Sequence, residues 1–243
     1  MGRLKFQSSK VFFRRMTPIV IMTLCLILPG CNNDSSPIND PGRTSPPEFD
    51  SVTDFDGNVY LTVKIGNQWW MAENLRSVHY ADGTPIQNFI YNNDTANVTT
   101  YGRLYRWAAA LRNAGRTNSN PSGIQGASPQ GWHIPSDAEW QELINYLGGE
   151  SVAGGKLKES GLLNWSQPNT GATNESGFNA LPGGWFDFTG QSLGIGERCF
   201  FITTSASNVN DPVYIRHLRY NNSTIPRGDL HPLDAVSIRC VRD

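Results

Sequence analysis

The chain is poor in the residues that most metal and nucleophile chemistry requires. Among 243 residues there are four cysteines and four histidines, and only 17% are charged. No CxxC and no HxH or HxxxH pair occurs, so the clustered ligand spacings of zinc sites are missing. P-loop and HExxH words are missing too, so no phosphate cradle or zincin helix is spelled out. Asp137, Glu139, Glu175 and Asp187 could supply carboxylates, but a glycosidase pair needs a defined separation that spacing in sequence does not give. No apolar run reaches the ~20 residues that a membrane-spanning helix needs. The first thirty residues hold five of the 20 cations and none of the 21 acids, leaving a net of −6 beyond them. That sign repels phosphate backbones, so nucleic acid is not an expected partner.

What is present begins with enough apolar residues for a packed core, 38% hydrophobic and 11% aromatic. Gly 24 and Pro 15 make the chain turn-rich. A basic stretch ends at Arg14-Arg15, and Thr17 to Pro29 is apolar except for its threonines, the length of a secretory h-region. Leu28-Pro29-Gly30-Cys31 closes it and resembles the lipobox of bacterial lipoproteins. The expectation is a signal peptide over 1–30, lipidation at Cys31, and a protein anchored by lipid alone in the outer membrane of the cell envelope. The alternative is an ordinary signal peptide with an incidental cysteine. Residues 31–50 carry four prolines and few apolar residues, too little to offset the entropy of ordering, and read as a tether. One globular unit remains, 51–243, without internal repeats.

Within that unit Val59, Leu61, Val63 and Ile65 alternate with polar residues, followed by Gly66-Asn67 and Gln68-Trp69-Trp70-Met71, a tight hairpin. Arg103 to Asn113 predicts a helix with Leu104, Trp107, Ala108 and Leu111 on one face. Ser136-Asp137-Ala138-Glu139 reads as a capping box, with Trp140, Leu143, Ile144 and Leu147 as the apolar stripe behind it and Gly148-Gly149 as the stop. Short β-like runs follow at 199–204, 213–218 and 235–241. This order predicts an α+β domain with a mostly antiparallel sheet, two main helices and long loops.

The segments DFDGNVYLTVKIGNQWWMAENL (54–75), YGRLYRW (101–107), GWHIPSDAEWQEL (131–143), GGKLKE (154–159), NTGATNESGFNALPGGW (169–185) and SIRCVRD (237–243) resemble, in this order, the Fibrobacter succinogenes major paralogous domain. That family consists of secreted and lipid-anchored bacterial modules. The resemblance implies a C-type-lectin-like fold, in the group that also holds formylglycine-generating-enzyme-like domains, and says little about activity. Two departures stand out. The family often has cysteine at the position of Ser128, and Tyr or Trp before Ser-Ser-Thr where this chain reads Cys199-Phe200-Phe201-Ile202-Thr203-Thr204-Ser205.

Once Cys31 is lipidated, Cys199 and Cys240 form an even pair in an oxidising compartment, which suggests a disulfide. Two buried free thiols are the alternative, and a catalytic pair as in formylglycine-generating enzymes is a third reading. His79, His133, His217 and His231 are scattered, with His133 placed to order the turn before the capped helix. Asn169, Asn174, Glu175 and Asp187 offer oxygens that could suit Ca²⁺, though such residues in glycine-rich loops usually stabilise turns; no cofactor is expected. Trp165 and Trp185 lie beside Asn and Asp in loop-like stretches and are candidates for sugar stacking. In the strand over 213–220, Arg216, Arg219 and Tyr220 either form a wet face or join Asp187 and the two tryptophans in a ligand surface. The functional expectation is non-enzymatic binding or adhesion to glycan or protein at the envelope. The alternative is an enzyme, either of the formylglycine-generating-like fold or carbohydrate-active.

Overall fold

Glu48–Thr53 (β1) runs antiparallel to Val59–Ile65 (β2), which turns back through Gly66 into Gln68–Met71 (β3). The computed structural model describes residues 46–206 and 212–243. The signal peptide, Cys31 and the tether up to residue 45 lie outside the described residues. Strand β1 takes in Glu48 to Asp50, the last residues of the segment expected to be tether, because their backbone completes a ladder with Lys64 to Thr62. Gly66 has φ of 61°, a conformation the two-residue hairpin turn demands and glycine adopts without strain.

The region expected as a helix over 103–113 is mostly something else. A short helix, Ala96–Tyr101 (α1), ends at Gly102, whose φ is 74°. Tyr105–Arg106 (β4) then pairs with Ala235–Val236, and only Trp107–Ala110 (α2) makes a helical turn. Pairing with a strand far along the chain outweighs the local helix preference of these residues.

Trp132–His133 (β5) leads to the expected capped helix, Asp137–Tyr146 (α3). Ser136 Oγ accepts from the Glu139 N–H at 3.2 Å, and Glu139 Oε2 accepts from the Ser136 N–H at 2.8 Å. A second helix, Glu150–Leu157 (α4), follows at once and was not foreseen, since its middle is Gly154-Gly155. A Cβ on Gly154 would stand 2.3 Å from Thr224 O, and one on Gly155 2.3 Å from Gly171 O, so both glycines serve close backbone approach.

The later strands are Gly183–Phe186 (β6), Ser192–Ile195 (β7), Arg198–Ala206 (β8), Val213–Arg219 (β9), Arg227–Leu230 (β10), Ala235–Val236 (β11) and Val241–Arg242 (β12). One sheet has the order β1-β2-β3-β12-β5 and is antiparallel throughout. The other has the order β10-β9-β8-β6-β11-β4, with β7 on β6 and a parallel pairing between β6 and β8. The described fold is therefore mixed α and β, mostly strand, with open sheets. No helix among the described residues is long and apolar enough to cross a membrane.

Two apolar clusters fill the interior. One gathers Tyr60, Leu75, Tyr105, Ile202, Ile215, Ile238 and Cys240. The other gathers Trp70, Trp140, Phe178, Cys199, Phe201 and Val241. In the second, Trp140 packs on Trp70 at 4.6 Å and on Phe201 at 5.3 Å between ring centroids. Buried Arg239 spans the same region. Its Nε donates to Asn74 Oδ1 at 2.6 Å, Nη1 to Phe178 O and Met71 O, and Nη2 to Asn179 O, with its guanidinium 4.6 Å from the Phe178 ring. Burial pushes its pKa down to about 9. Lys158 is held in the same manner, Nζ donating to the carbonyls of Thr170, Arg219 and Asn222.

Candidate functional site

At the margin of the first core, β6, β8 and β9 present a half-exposed row built by the two-residue period of strands. On β8, Cys199 and Phe201 point into the second core, so Arg198 and Phe200 share the opposite side. Arg198 stands directly across from Arg219 and Phe200 directly across from His217. Trp185 on β6 joins them. Its ring centroid lies 5.1 Å from that of Phe200 at 72°, and Phe200 lies 5.7 Å from His217. The Arg198 guanidinium covers the indole at 5.7 Å.

Two glycines seat this row. Gly194 has φ of 71°, and a Cβ there would stand 2.6 Å from the Trp185 ring. Gly184 lets β7 approach so closely that a Cβ would meet Leu193 O at 2.2 Å. Trp185 and Phe200 are half-buried, with inner edges packed on the first core. The result is an aromatic row on rigid strands, bounded by two guanidinium groups.

His217 completes the row as a neutral ring. Burial, then the positive charges of Arg219, Arg198 and Arg216, push its pKa down to about 4. Its buried Nδ1 has no hydrogen-bond partner and faces Gly228.

Of the other expected ligand residues, only Trp185 and Arg219 meet on this face. Trp165 is 2% exposed, its Nε1 donating to Ala180 O at 2.9 Å and its ring 5.3 Å from Lys158 Nζ, so it offers no face to a sugar. Arg216 points to the other side of β9 and is also 2% exposed. Its Nε donates to Asp137 Oδ1 at 2.7 Å and its Nη2 to Gln141 Oε1, so it fastens α3 to the sheet. Tyr220 packs at the margin of the second core. Asp187 shapes the β6–β7 turn, its Oδ1 accepting from the Thr189 N–H and hydroxyl and the Gln191 N–H; these bonds hold its carboxyl below the usual range.

The residues considered for Ca²⁺ occupy several turns, and of their oxygens Asn169 Oδ1 is buried without a hydrogen-bond partner. Asn169 and Asn174 adopt φ of 45° and 52° in their turns, and Glu175 pairs with Lys156 at 2.9 Å. No group of three or more His, Cys, Asp or Glu that could hold a metal occurs among the described residues.

The disulfide expectation is corrected. Cys199 and Cys240 are both buried free thiols, and they sit in different core clusters, Cys199 on β8 and Cys240 just before β12. Burial pushes each thiol up to about 12, so neither is a thiolate at neutral pH. Ser128 Oγ is buried without a well-formed hydrogen bond, and it is near enough to Cys240 to oppose the rise of the thiol's pKa. The lost-cysteine position and Cys240 therefore do face each other.

Residues 63–242 match the family model of the Fibrobacter succinogenes major domain. The chain belongs to this family. No curated protein and no solved structure matches it. The segments by which the sequence resembles this family converge on Arg239, which ties Met71 and Asn74 from the first to Phe178 and Asn179 from the fifth. In this member of the Fibrobacter succinogenes major domain family, the site also holds Arg198, Phe200 and His217, which lie outside the ligand residues expected from sequence. Alternation in Arg198-Cys199-Phe200-Phe201 was a readable signal for them, but their register against β9 is not local information.

Proposed function

We propose that this protein is a lipid-anchored component of the outer membrane whose C-type-lectin-like domain binds glycan or protein at the envelope without catalysis. The central position of β12, between β3 and β5, supports the lectin-like reading of the fold. The observation that carries the functional reading is the half-exposed aromatic row Trp185–Phe200–His217, flanked by arginines and seated on glycines. Rigid aromatic faces beside polar groups suit stacking on sugar rings and on side chains of a protein partner. The Cys31 lipid supplies the attachment, and the tether supplies reach. The test is a glycan array and a co-sedimentation assay with bacterial envelopes, using detergent-solubilised full-length protein and its Trp185→Ala variant. Wild type binds and the variant loses at least about tenfold in affinity. Equal behaviour of the two proteins, or failure of both to bind, removes the proposal.

A further inference from the structure

Arg198 and Arg219 stand directly opposite each other on adjacent antiparallel strands. Side chains in such positions have Cβ atoms about 4.5–5.5 Å apart, and like charges there are mutually destabilising. Several other cations on strands are matched by acids, although Arg106 on β4 donates to Leu233 O instead. Arg216 has Asp137, Arg242 has Asp50 at 2.6 Å, and Lys64 on β2 has Glu48 across the ladder at 3.4 Å. Among the described residues neither Arg198 nor Arg219 forms an ion pair or a side-chain hydrogen bond; the one contact is Arg198 over Trp185. This uncompensated pair occurs in a chain that carries net −6 beyond its first thirty residues.

Glu197 adjoins Arg198 in the chain and bonds through its backbone to Tyr220, yet no carboxylate among the described residues pairs with either guanidinium. The third group in the row, His217, stands across from Phe200 on the same side of β9 as Arg219, and burial with the charges of Arg219, Arg198 and Arg216 holds it neutral. Arg198 and Arg219 thus adjoin the Phe200–His217 pair on one side of the ladder, with the Trp185 ring beneath the Arg198 guanidinium. Guanidinium groups bind planar carboxylates and sulfate oxygens through paired N–H donors, and two forks on directly facing residues can share one anion. A pyranose ring carrying that anion would place its C–H face on Trp185 and Phe200.

We propose that the aromatic row binds an acidic saccharide, with Arg198 and Arg219 jointly holding its carboxylate or sulfate group while Trp185 and Phe200 stack on the ring. This rests on the binding reading above and narrows it to a ligand class. Carboxylate and sulfate present the same negative oxygens to the two forks, so the probes must separate them.

The experiment measures affinity of detergent-solubilised full-length protein for oligogalacturonate, a sulfated dextran oligosaccharide and an uncharged dextran oligosaccharide, at low and high salt. Wild type, Arg198→Gln, Arg219→Gln and Trp185→Ala are compared. One or both acidic probes bind at least about tenfold more tightly than the uncharged one, and the preference weakens with salt. Each arginine variant loses most of that preference, and Trp185→Ala loses binding to every saccharide. Arg219→Gln also raises the thermal midpoint by about 1–3 °C, because a like-charge pair is relieved. A purely structural arginine would lower that midpoint. Uncharged and acidic probes binding equally, with both arginine variants unaffected, overturns this inference and leaves saccharide binding in place. Binding to none of the probes, with Trp185→Ala matching wild type on envelopes, overturns the broader reading as well.

Discussion

His133 Nε2 lies 2.6 Å from Glu139 Oε1, and the other oxygen of that carboxylate accepts the N–H groups of Ser136 and Ser122. The imidazole's Nδ1 lies 2.7 Å from Asp243 Oδ1. One helix-capping glutamate thus joins β5, the start of α3 and the Ser122 loop through a histidine between two carboxylates. Burial pushes the His133 pKa down, but the hydrogen bonds and charges of Glu139 and Asp243 outweigh it and raise the pKa above its ordinary 6.5.

A pKa raised by folding gives stability that is complete below the unfolded-state value and is lost as pH rises through the folded-state value. The stability advantage of wild type over His133→Gln should therefore be largest near pH 5.5 and shrink upward from about 6.5. Urea midpoints of both proteins from pH 5.5 to 9 measure it. Taking the difference cancels other titrating groups, Lys158 among them, whose pKa burial pushes down to about 8. A constant difference across that range would show that folding leaves the His133 pKa at its unfolded-state value.

Trp140 is fully buried between Trp70 and Phe201. Trp140→Ala should cost about 3–5 kcal/mol in a denaturant titration, as loss of a large core aromatic does. A loss under 1 kcal/mol would mean that the two cores tolerate a void at their most crowded point.

Ser128→Cys should create a bond that wild type lacks. Its hydroxyl is already near Cys240, while Cys199 is in the other core. After denaturation and alkylation without reductant, wild type should carry two alkyl groups in the mature domain. The variant should carry one, on Cys199, and should gain up to about 4 kcal/mol from closing so long a loop. Three alkyl groups on the variant would show that the two side chains do not meet.

Gly154→Ala separates two effects of opposite sign. Helix propensity alone favours alanine by about 1 kcal/mol. The new Cβ would meet Thr224 O at 2.3 Å, and backbone cannot move away as a side-chain tip can. A net loss of about 1–3 kcal/mol in thermal or urea unfolding is expected, and a gain would show that α4 can slide.

Cys31→Ala should release the protein from membranes, because acyl chains are the strong hydrophobic attachment proposed for it. The readout is fractionation followed by carbonate extraction. Retention of the variant in the extracted pellet would disprove the anchor.

What was legible in the sequence was local. The β2–β3 hairpin and the capping box at Ser136 and Glu139 are written within a few residues of each other, and both form as read. Helix α4 was hidden because Gly154 and Gly155 are poor helix formers, retained for contacts with Thr224 and Gly171 that no local pattern reveals. Tyr105 and Arg106 looked helical until their partners Ala235 and Val236 were known. Trp165 and Trp185 are alike in sequence, both flanked by polar loop residues. One is turned inward by Ala180 O and Lys158, and the other is seated outward over Gly194. The opposed arginines depend on cross-strand register, which the hydrophobic pattern of β8 and β9 did not fix in advance.

The Arg239 guanidinium gathers Asn74, Met71, Phe178 and Asn179 with one side chain, a task that secreted domains commonly assign to cystine. Its bonds form as soon as the chain closes around it and need no oxidant, isomerase or particular thiol partner. Maturation of the domain is thereby uncoupled from the redox state of the compartment. The same fold should assemble under reducing and oxidising conditions alike, and a thiol reductant should leave it intact.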